Sequence, residues 1–138
     1  MMFSEQELAY LREQILARLA TVDDEDQPTV DAVGFEFDGT CFIVGGRNLE
    51  ATRKYKNIAT GHVKVSLIVD DLQSIRPWRP RGIKIHGYAE IDQREGRFGA
   101  GDYLAITPQI SWSWGVHEQE PGQGVFTPRR TIWGSDGK

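Results

Sequence analysis

The sequence predicts a mainly β fold with short helices, in which six or seven antiparallel strands close into a small barrel. Short apolar runs rich in Val, Ile and Phe recur along the chain, and turn residues such as Asp38-Gly39 separate them. Helical spacing is confined to two short stretches. A chain of 138 residues has room for one core, so we expect residues 1–138 to form a single domain.

The first predicted element is a helix that begins near Glu5, because Ser4 and Glu7 have the spacing of a capping box. Apolar residues at helical spacing predict the face that packs on the domain: Leu8, Leu11, Ile15, Leu16 and Leu19. The period then changes, which predicts a strand over residues 19–22 and an acidic turn over residues 23–28.

The remaining elements are predicted as strands joined by turns. Strands are expected at residues 29–37, 40–44, 63–69, 83–91, 103–106 and 109–114, with a last extended segment at 125–133. Breaks are expected at Asp38-Gly39, Asp70-Asp71, the proline-containing loop 74–80 and Thr107-Pro108. The glycine-rich stretches 96–101 and 115–124 are predicted to be flexible loops.

A basic stretch at residues 47–57 is the strongest indication of a binding site. It follows an apolar run and the pair Gly45-Gly46, so a short helix is expected to begin there. Between residues 45 and 64 the only acid is Glu50, whereas the bases are Arg47, Arg53, Lys54, Lys56 and Lys64. Because a helix start presents unpaired N–H groups, basic side chains beside it can hold a phosphate. The alternative is an ordinary solvated helix face.

Composition disfavours several classes of function. The net charge of −4 disfavours nucleic-acid binding, although Trp78 beside arginines has the character of a base-stacking residue. The only cysteine, Cys41, has no partner for an internal disulfide, so the cytoplasm is the expected compartment. No apolar run is long enough to span a membrane, and the N-terminus has no signal-peptide pattern.

No catalytic residue and no metal site is predicted. His62, His86 and His117 are scattered, and no pair of them has metal-ligand spacing. We interpret His86, in the middle of a predicted strand, as a structural hydrogen-bonding residue.

Several short motifs occur in an order that resembles the pyridoxamine 5′-phosphate oxidase-like split-barrel flavoproteins, over roughly residues 15–115. They are Leu19-Ala20-Thr21-Val22, the strand at residues 28–35, Thr52-Arg53-Lys54 with Asn57, Val65-Ser66-Leu67, residues 81–90, Ile106-Thr107-Pro108 and Ser113-Trp114-Gly115. The resemblance implies an FMN-binding split β-barrel that works as a homodimer, with the cofactor at the dimer interface.

Within that family, Asp70-Asp71, Pro77-Trp78 and the Ser-Trp-Gly motif look most like enzymes that use the deazaflavin coenzyme F420. The resemblance therefore implies an oxidoreductase that uses F420 for hydride transfer to a small unsaturated or conjugated substrate. Two alternatives stay open. One is an FMN-dependent oxidoreductase of the same fold, and the other is a protein that binds flavin, deazaflavin or haem without catalysis.

The resemblance also assigns candidate cofactor-binding residues. They are Thr52, Arg53 and Lys54 at the phosphate, Gly45 and Gly46 beside the ring, Ala32 and Val33 lining the ring, and Arg81 and Gly82 at its polar edge. Ala32 stands where the family has proline, and Thr60-Gly61 stands where it has Asn-Pro. The chain is too short for the substrate-binding C-terminal region of the true pyridoxamine phosphate oxidases, so vitamin B6 oxidation is not expected.

Overall fold

The computed structural model describes residues 2–117 and 128–134. In chain order its elements are α1 (Glu5–Glu13), β1 (Leu16–Val22), β2 (Pro28–Gly34), β3 (Glu36–Phe37), β4 (Phe42–Val44), a 3₁₀ turn (Leu49–Ala51), α2 (Arg53–Ala59), β5 (Lys64–Ser74), β6 (Arg79–Gly96), β7 (Gly99–Trp114) and β8 (Arg129–Ile132). The predicted mainly β fold with short helices is confirmed.

The eight strands of the described residues form one antiparallel sheet in the order β2-β1-β5-β6-β7-β4-β3, with β8 also paired to β7. The two end strands, β2 and β3, are adjacent in the chain but do not pair with each other. The sheet therefore curves into an open barrel with eight strands rather than closing with six or seven. This open sheet is the fold of a split barrel.

One face of the sheet carries the core, because successive side chains of a strand point to opposite faces. Ala17 and Leu19 of β1, Leu67 and Val69 of β5, and Ile83 and Ile85 of β6 are all buried. Edge-to-face and tilted aromatic contacts close the core beside β4, and they join Phe3, Phe35, Phe37, Phe42 and Trp133 at centroid distances of 4.6–5.9 Å.

The capping box at the start of α1 is confirmed, since Ser4 Oγ accepts from the Glu7 N–H and Glu7 Oε1 accepts from the Ser4 N–H. The predicted apolar face is wrong beyond the end of the helix. Ile15 and Leu16 lie past Glu13, and they are 70% and 53% exposed. Strand pairing explains the difference, because Leu16 already pairs with Gly34 at the start of β1.

Two predicted breaks are wrong because strand partners compensate for the unfavourable residues. Asp70-Asp71 continue β5, where their carboxylates form ion pairs with Arg18 and Arg81. Thr107-Pro108 lie within β7, and the register shifts where Gly87 meets Pro108. A Cβ on Gly87 would overlap the Thr107 carbonyl oxygen, so only glycine fits this irregularity.

The predicted flexible loop at residues 96–101 is wrong, because most of these residues belong to paired strands. Residues 96–101 form a tight hairpin in which Tyr103 Oη accepts from the Phe98 N–H and donates to the Gly99 carbonyl. The last extended segment is confirmed at β8, whereas residues 125–127 and most of the predicted loop 115–124 lie outside the described residues. No helix in the described ranges is long and apolar enough to cross a membrane.

The buried carboxylate of Glu7 joins the two ends of the described chain. Glu7 is 1% exposed, and it accepts hydrogen bonds from the Ser4 N–H, from Ser113 Oγ of β7 at 2.5 Å and from Arg129 Nη1 of β8 at 2.8 Å. A buried charge needs this degree of compensation, because desolvation of an unpaired carboxylate is costly. Glu7 therefore fixes α1 and β8 against β7.

We expect Glu7→Ala to lower the free energy of unfolding by about 3 kcal/mol, because Arg129 and Ser113 lose their buried acceptor. Urea denaturation measures the change. Glu5→Ala is the matched control, since Glu5 is exposed in the same helical turn. Losses of equal size in the two variants would contradict the anchoring role of Glu7.

Candidate functional site

The second face of the sheet, which we call the outer face, lies away from the main core, and only a small separate cluster of Ile43, Tyr103 and Ala105 is buried on it among the described residues. Strand register places Ala32, Arg18, Ile68, Lys84 and Trp112 in one row across five strands. The adjacent row consists of Val30, Ala20, Ser66, His86 and Ile110. Residues directly opposite each other on paired strands share a face, so both rows lie on the outer face.

The candidate cofactor residues divide between the two faces. Ala32 and Gly82 lie on the outer face, in register with Arg18 and Trp114. Val33 is 6% exposed and packs in the core. Arg81 pairs with Asp71 on the core side of the sheet, one position from Gly82. Of the predicted pairs Ala32-Val33 and Arg81-Gly82, the structure therefore places only Ala32 and Gly82 on the outer face.

The guanidinium of Arg81 is held by neighbouring residues. Its Nε and Nη2 atoms donate to the two oxygens of Asp71 at 3.1 and 2.8 Å, and its Cζ lies 5.0 Å from the centre of the Tyr10 ring. Tyr10 Oη also donates to Asp71 Oδ1 at 2.8 Å. This network ties α1 to the β5–β6 pair and fixes the backbone next to Gly82.

These contacts shift three protonation equilibria. The hydrogen bonds from Arg81 hold the pKa of the Asp71 carboxyl below its ordinary value. The same ion pair raises the pKa of Arg81. Burial, and then the hydrogen bond to the Asp71 carboxylate, raise the pKa of Tyr10 well above its ordinary value. All three groups therefore keep their ordinary charges at neutral pH.

Two of the candidate glycines have a structural reason that needs no ligand. A Cβ on Gly82 would overlap the Trp114 ring, and one on Gly45 would overlap the Tyr103 ring. Gly46 differs, since no atom lies within 4 Å of the position that a Cβ would take there. Of the predicted glycines, only Gly46 therefore offers open space for a ligand.

The start of α2 holds the candidate phosphate site. Thr52 caps the helix, with Oγ1 accepting from the Tyr55 N–H at 3.3 Å and donating to the Leu49 carbonyl at 2.6 Å. Its hydroxyl is therefore already used by the backbone. Arg53 is exposed and Lys54 is half-buried. Neither forms a salt bridge with any residue in the described part of the chain.

The helix that carries these cations is fixed by its buried side. Asn57 is 2% exposed and donates from Nδ2 to Thr21 Oγ1 of β1 at 2.9 Å, while Ile58 packs in the core. Tyr55 Oη donates to Asp102 of β7 at 2.7 Å. The sequence places Asn57 in a motif but gives no sign of this anchoring role, which depends on a partner 36 residues away.

A cleft of about 440 Å³ opens on the outer face, and sequence reasoning did not identify it. Its walls include Ala20, Val22 and Pro28. Thr21 also lines it, with its hydroxyl bound by Asn57, and the other polar residues of the lining are Lys64, Ser66, His86, Tyr88 and Gln109. The interpretation of His86 as a structural hydrogen-bonding residue is wrong. Its imidazole is exposed and packs edge-to-face on Trp112 at 4.8 Å, with no hydrogen-bond partner in the described residues.

Strand alternation could have revealed this placement, because Ile83 and Ile85 mark the buried face and leave Lys84 and His86 on the other. A second cleft of about 460 Å³ lies between α1 and β3, with Leu8, Leu11 and Phe37 in its lining. Within residues 2–117 and 128–134, no three His, Cys, Asp or Glu side chains are grouped to hold a metal ion.

Comparison with known proteins identifies relatives over nearly the whole chain. The family model described as pyridoxamine 5′-phosphate oxidase matches residues 3–123. A 5a,11a-dehydrotetracycline/5a,11a-dehydrooxytetracycline reductase from Streptomyces rimosus subsp. rimosus is 35% identical over 144 aligned positions, which cover 99% of this chain and 98% of that protein.

Solved structures with the same fold are more distant in sequence. A structure named F420 reductase has a TM-score of 0.58 at 18% identity, covering 75% of this chain and 93% of its own. The haem storage protein HutZ from Vibrio cholerae has a TM-score of 0.60 at 14% identity, covering 93% of this chain and 96% of its own. At these identities, the two structures establish the likeness of fold alone.

The Asp71–Arg81 pair leads to a prediction about acid stability. A carboxyl whose pKa is lower in the folded than in the unfolded state stabilises the fold above its unfolded pKa, and this contribution is lost as the pH falls through the folded pKa. We expect Asp71→Asn to be less stable than the wild type at pH 7, with a difference that shrinks below about pH 4.

Urea denaturation across this pH range measures the effect. Asp70→Asn is the control, because Asp70 pairs with Arg18 where both side chains are nearly half exposed, and such pairs contribute little. A stability difference for Asp71→Asn that persists unchanged in strong acid would show that the carboxylate charge is not its source.

Proposed function

The chain belongs to the pyridoxamine 5′-phosphate oxidase family, and from this premise we propose that it is an oxidoreductase that reduces a conjugated carbon–carbon double bond with coenzyme F420. The observation that carries the proposal is the 35% identity to a dehydrotetracycline reductase over almost the full length of both chains. The proposed substrate class follows from that name: a polycyclic, oxygen-rich compound with a conjugated double bond.

Arg53 and Lys54 have the chemistry that the cofactor requires. They are two cations next to each other at a helix start, they have no carboxylate partner in the described residues, and α2 is fixed by buried Asn57. Charge-assisted hydrogen bonds from such groups are the usual means of holding a phosphate. Thr52 contributes by capping the helix, and the open space at Gly46 leaves the backbone accessible.

When bound, the deazaflavin supplies the hydride, and the protein's contribution is position and electrostatics. Ala32 presents a small exposed surface on the outer face, where a flat ring can approach the strands, whereas Gly82 acts by accommodating the Trp114 ring. Arg81 keeps Gly82 in place through Asp71. In this proposal Val33 acts from the core by fixing β2, and Gly45 acts by accommodating Tyr103.

Two alternatives remain distinct hypotheses. FMN has a phosphate and a planar ring and fits the same cations, so an FMN-dependent oxidoreductase is the nearer alternative. The other alternative is a protein that binds flavin, deazaflavin or haem without catalysis. The haem storage protein with the same fold supports this alternative. Titration of the purified protein with F420 and FMN side by side separates the cofactors, with a tenfold preference as the criterion.

We also propose that the protein is a cytoplasmic homodimer and that the outer face is its interface. This face presents Val30, which is 64% exposed, together with Leu16, Ile68, Trp112 and Ile132. Apolar side chains on a sheet face without a covering layer are typical of surfaces that bind another chain. A second copy would cover them and enclose the cofactor region.

The proposed cofactor site leads to a prediction about binding. The double variant Arg53→Ala/Lys54→Ala should weaken F420 binding by about 2–4 kcal/mol, from the loss of two charge-assisted contacts. Fluorescence titration measures the affinity. The control is Arg76→Ala/Arg79→Ala, which removes the same charge from the β5–β6 hairpin. Unchanged affinity in the first variant would remove these residues from the site.

Turnover is tested with reduced F420 and a dehydrotetracycline. We expect the absorbance of oxidised F420 to return only when protein, reduced cofactor and acceptor are all present. Tight cofactor binding without any such return would favour the non-catalytic alternative. Turnover with reduced FMN alone would favour the FMN-dependent one.

The interface gives a further prediction. Ile68→Glu places a charge in the centre of the outer face and should convert the dimer to a monomer in sedimentation velocity, because the interface would lose an apolar contact and would have to desolvate a charged side chain. Ile75→Glu is the control, since Ile75 is 67% exposed on the β5–β6 hairpin. A wild-type protein that is monomeric with cofactor bound would exclude the proposed dimer.

A further inference from the structure

We propose that the outer-face cleft binds the substrate, and that it selects planar, fused-ring compounds with an anionic, oxygen-rich edge. The inference rests on the proposed function only in calling the ligand a substrate. The binding site itself is argued from the cleft, which nothing in the candidate cofactor set occupies. Apart from Thr21, which is hydrogen-bonded to Asn57, its polar residues are Lys64, Ser66, His86, Tyr88 and Gln109.

The arrangement of these groups follows from the strand register. Lys64 lies opposite Tyr88, and Ser66 lies opposite His86, on the adjacent strands β5 and β6. Paired residues are about 5 Å apart across the strands, and successive pairs on one face are about 7 Å apart along them. The four side chains thus form a small array of hydrogen-bonding groups, which suits a ligand with several oxygens along one edge.

Within a single copy of the chain, these groups are free to bind a ligand. None of the five polar side chains makes a side-chain hydrogen bond or salt bridge within the part of the chain that the structure describes. Lys64 is exposed, and its positive charge has no carboxylate partner among those residues. A concave site with apolar walls and several converging polar groups is the usual form of a small-molecule site.

The walls determine the shape and polarity of the ligand. Ala20, Val22 and Pro28 supply small apolar surfaces on β1 and β2, on the side of the cleft away from His86. Beyond His86, the Trp112 ring extends the aromatic surface at 4.8 Å, with Lys84 Nζ 4.6 Å from its centre. A flat ring system fits between such surfaces, and Lys64 favours an ionised phenol, enol or carboxylate over a neutral group.

The test compares two planar probes that differ in charge alone: 3-hydroxy-2-naphthoate and 3-hydroxy-2-naphthamide. Each is titrated into ¹⁵N-labelled protein without cofactor, and backbone amide shifts report both the location and the affinity. We expect both probes to shift amides of β5 and β6 around Lys64, Ser66 and His86. We expect the naphthoate to bind about tenfold more tightly.

Lys64→Gln should remove this preference, weakening the naphthoate about tenfold while leaving the naphthamide within about twofold. Arg79→Gln is the matched control, because it removes one exposed charge from the end of β6 outside the cleft and should change neither affinity. His86→Ala should weaken both probes, since it removes a hydrogen bond and a ring contact that do not depend on probe charge.

Three outcomes would overturn the inference. The first is equal affinity for the two probes, and the second is amide shifts confined to the cleft between α1 and β3. The third is amide shifts that the probes cause in the Ile68→Glu variant but not in the wild type. The last result would mean that a second copy occupies the cleft. The inference and the proposed function fail separately. Selective probe binding by a protein that binds neither F420 nor FMN would keep the cleft and reject the function.

Discussion

The alternation of the long central strands is the constraint on which the rest of the structure depends. In the central parts of β1, β5 and β6, every second residue is committed to the core, as Leu19, Leu67 and Ile85 are. The intervening residues must then share the opposite face, whatever their chemistry. That face therefore collects Lys64, His86 and Trp112 from distant parts of the chain. The candidate substrate cleft follows from the core pattern rather than from any motif.

Two hydrogen-bonded carboxylates fix the outer elements against the central strands. Glu7 fixes α1 and β8 against β7, and Asp71 fixes α1 against the β5–β6 pair through Tyr10 and Arg81. Both belong to the core side of the sheet, whereas the outer face carries aliphatic residues, aromatic rings, cations and the exposed Arg18–Asp70 pair. The division explains why the structural and the candidate binding residues alternate along the same strands, as Arg81 and Gly82 do.

Sequence reasoning predicted the element types better than their ends. The capping box and the antiparallel strands were correct because both are local patterns. The breaks at Asp70-Asp71 and Thr107-Pro108 were wrong because cross-strand ion pairs and the glycine at position 87 compensate for residues that would otherwise end a strand. The candidate glycines Gly45 and Gly82 show the same limit, since the rings that require them come from Tyr103 and Trp114.

By itself, the sequence determined the β-rich architecture, the capped first helix, the basic second helix and the family likeness, because each is encoded by residues close together in the chain. Only the tertiary structure decided which residues share a surface. It placed Arg81 in an ion pair, Val33 in the core and His86 in an open cleft. The physical reason is that strand register, and with it the face to which a side chain points, is set by partners tens of residues away.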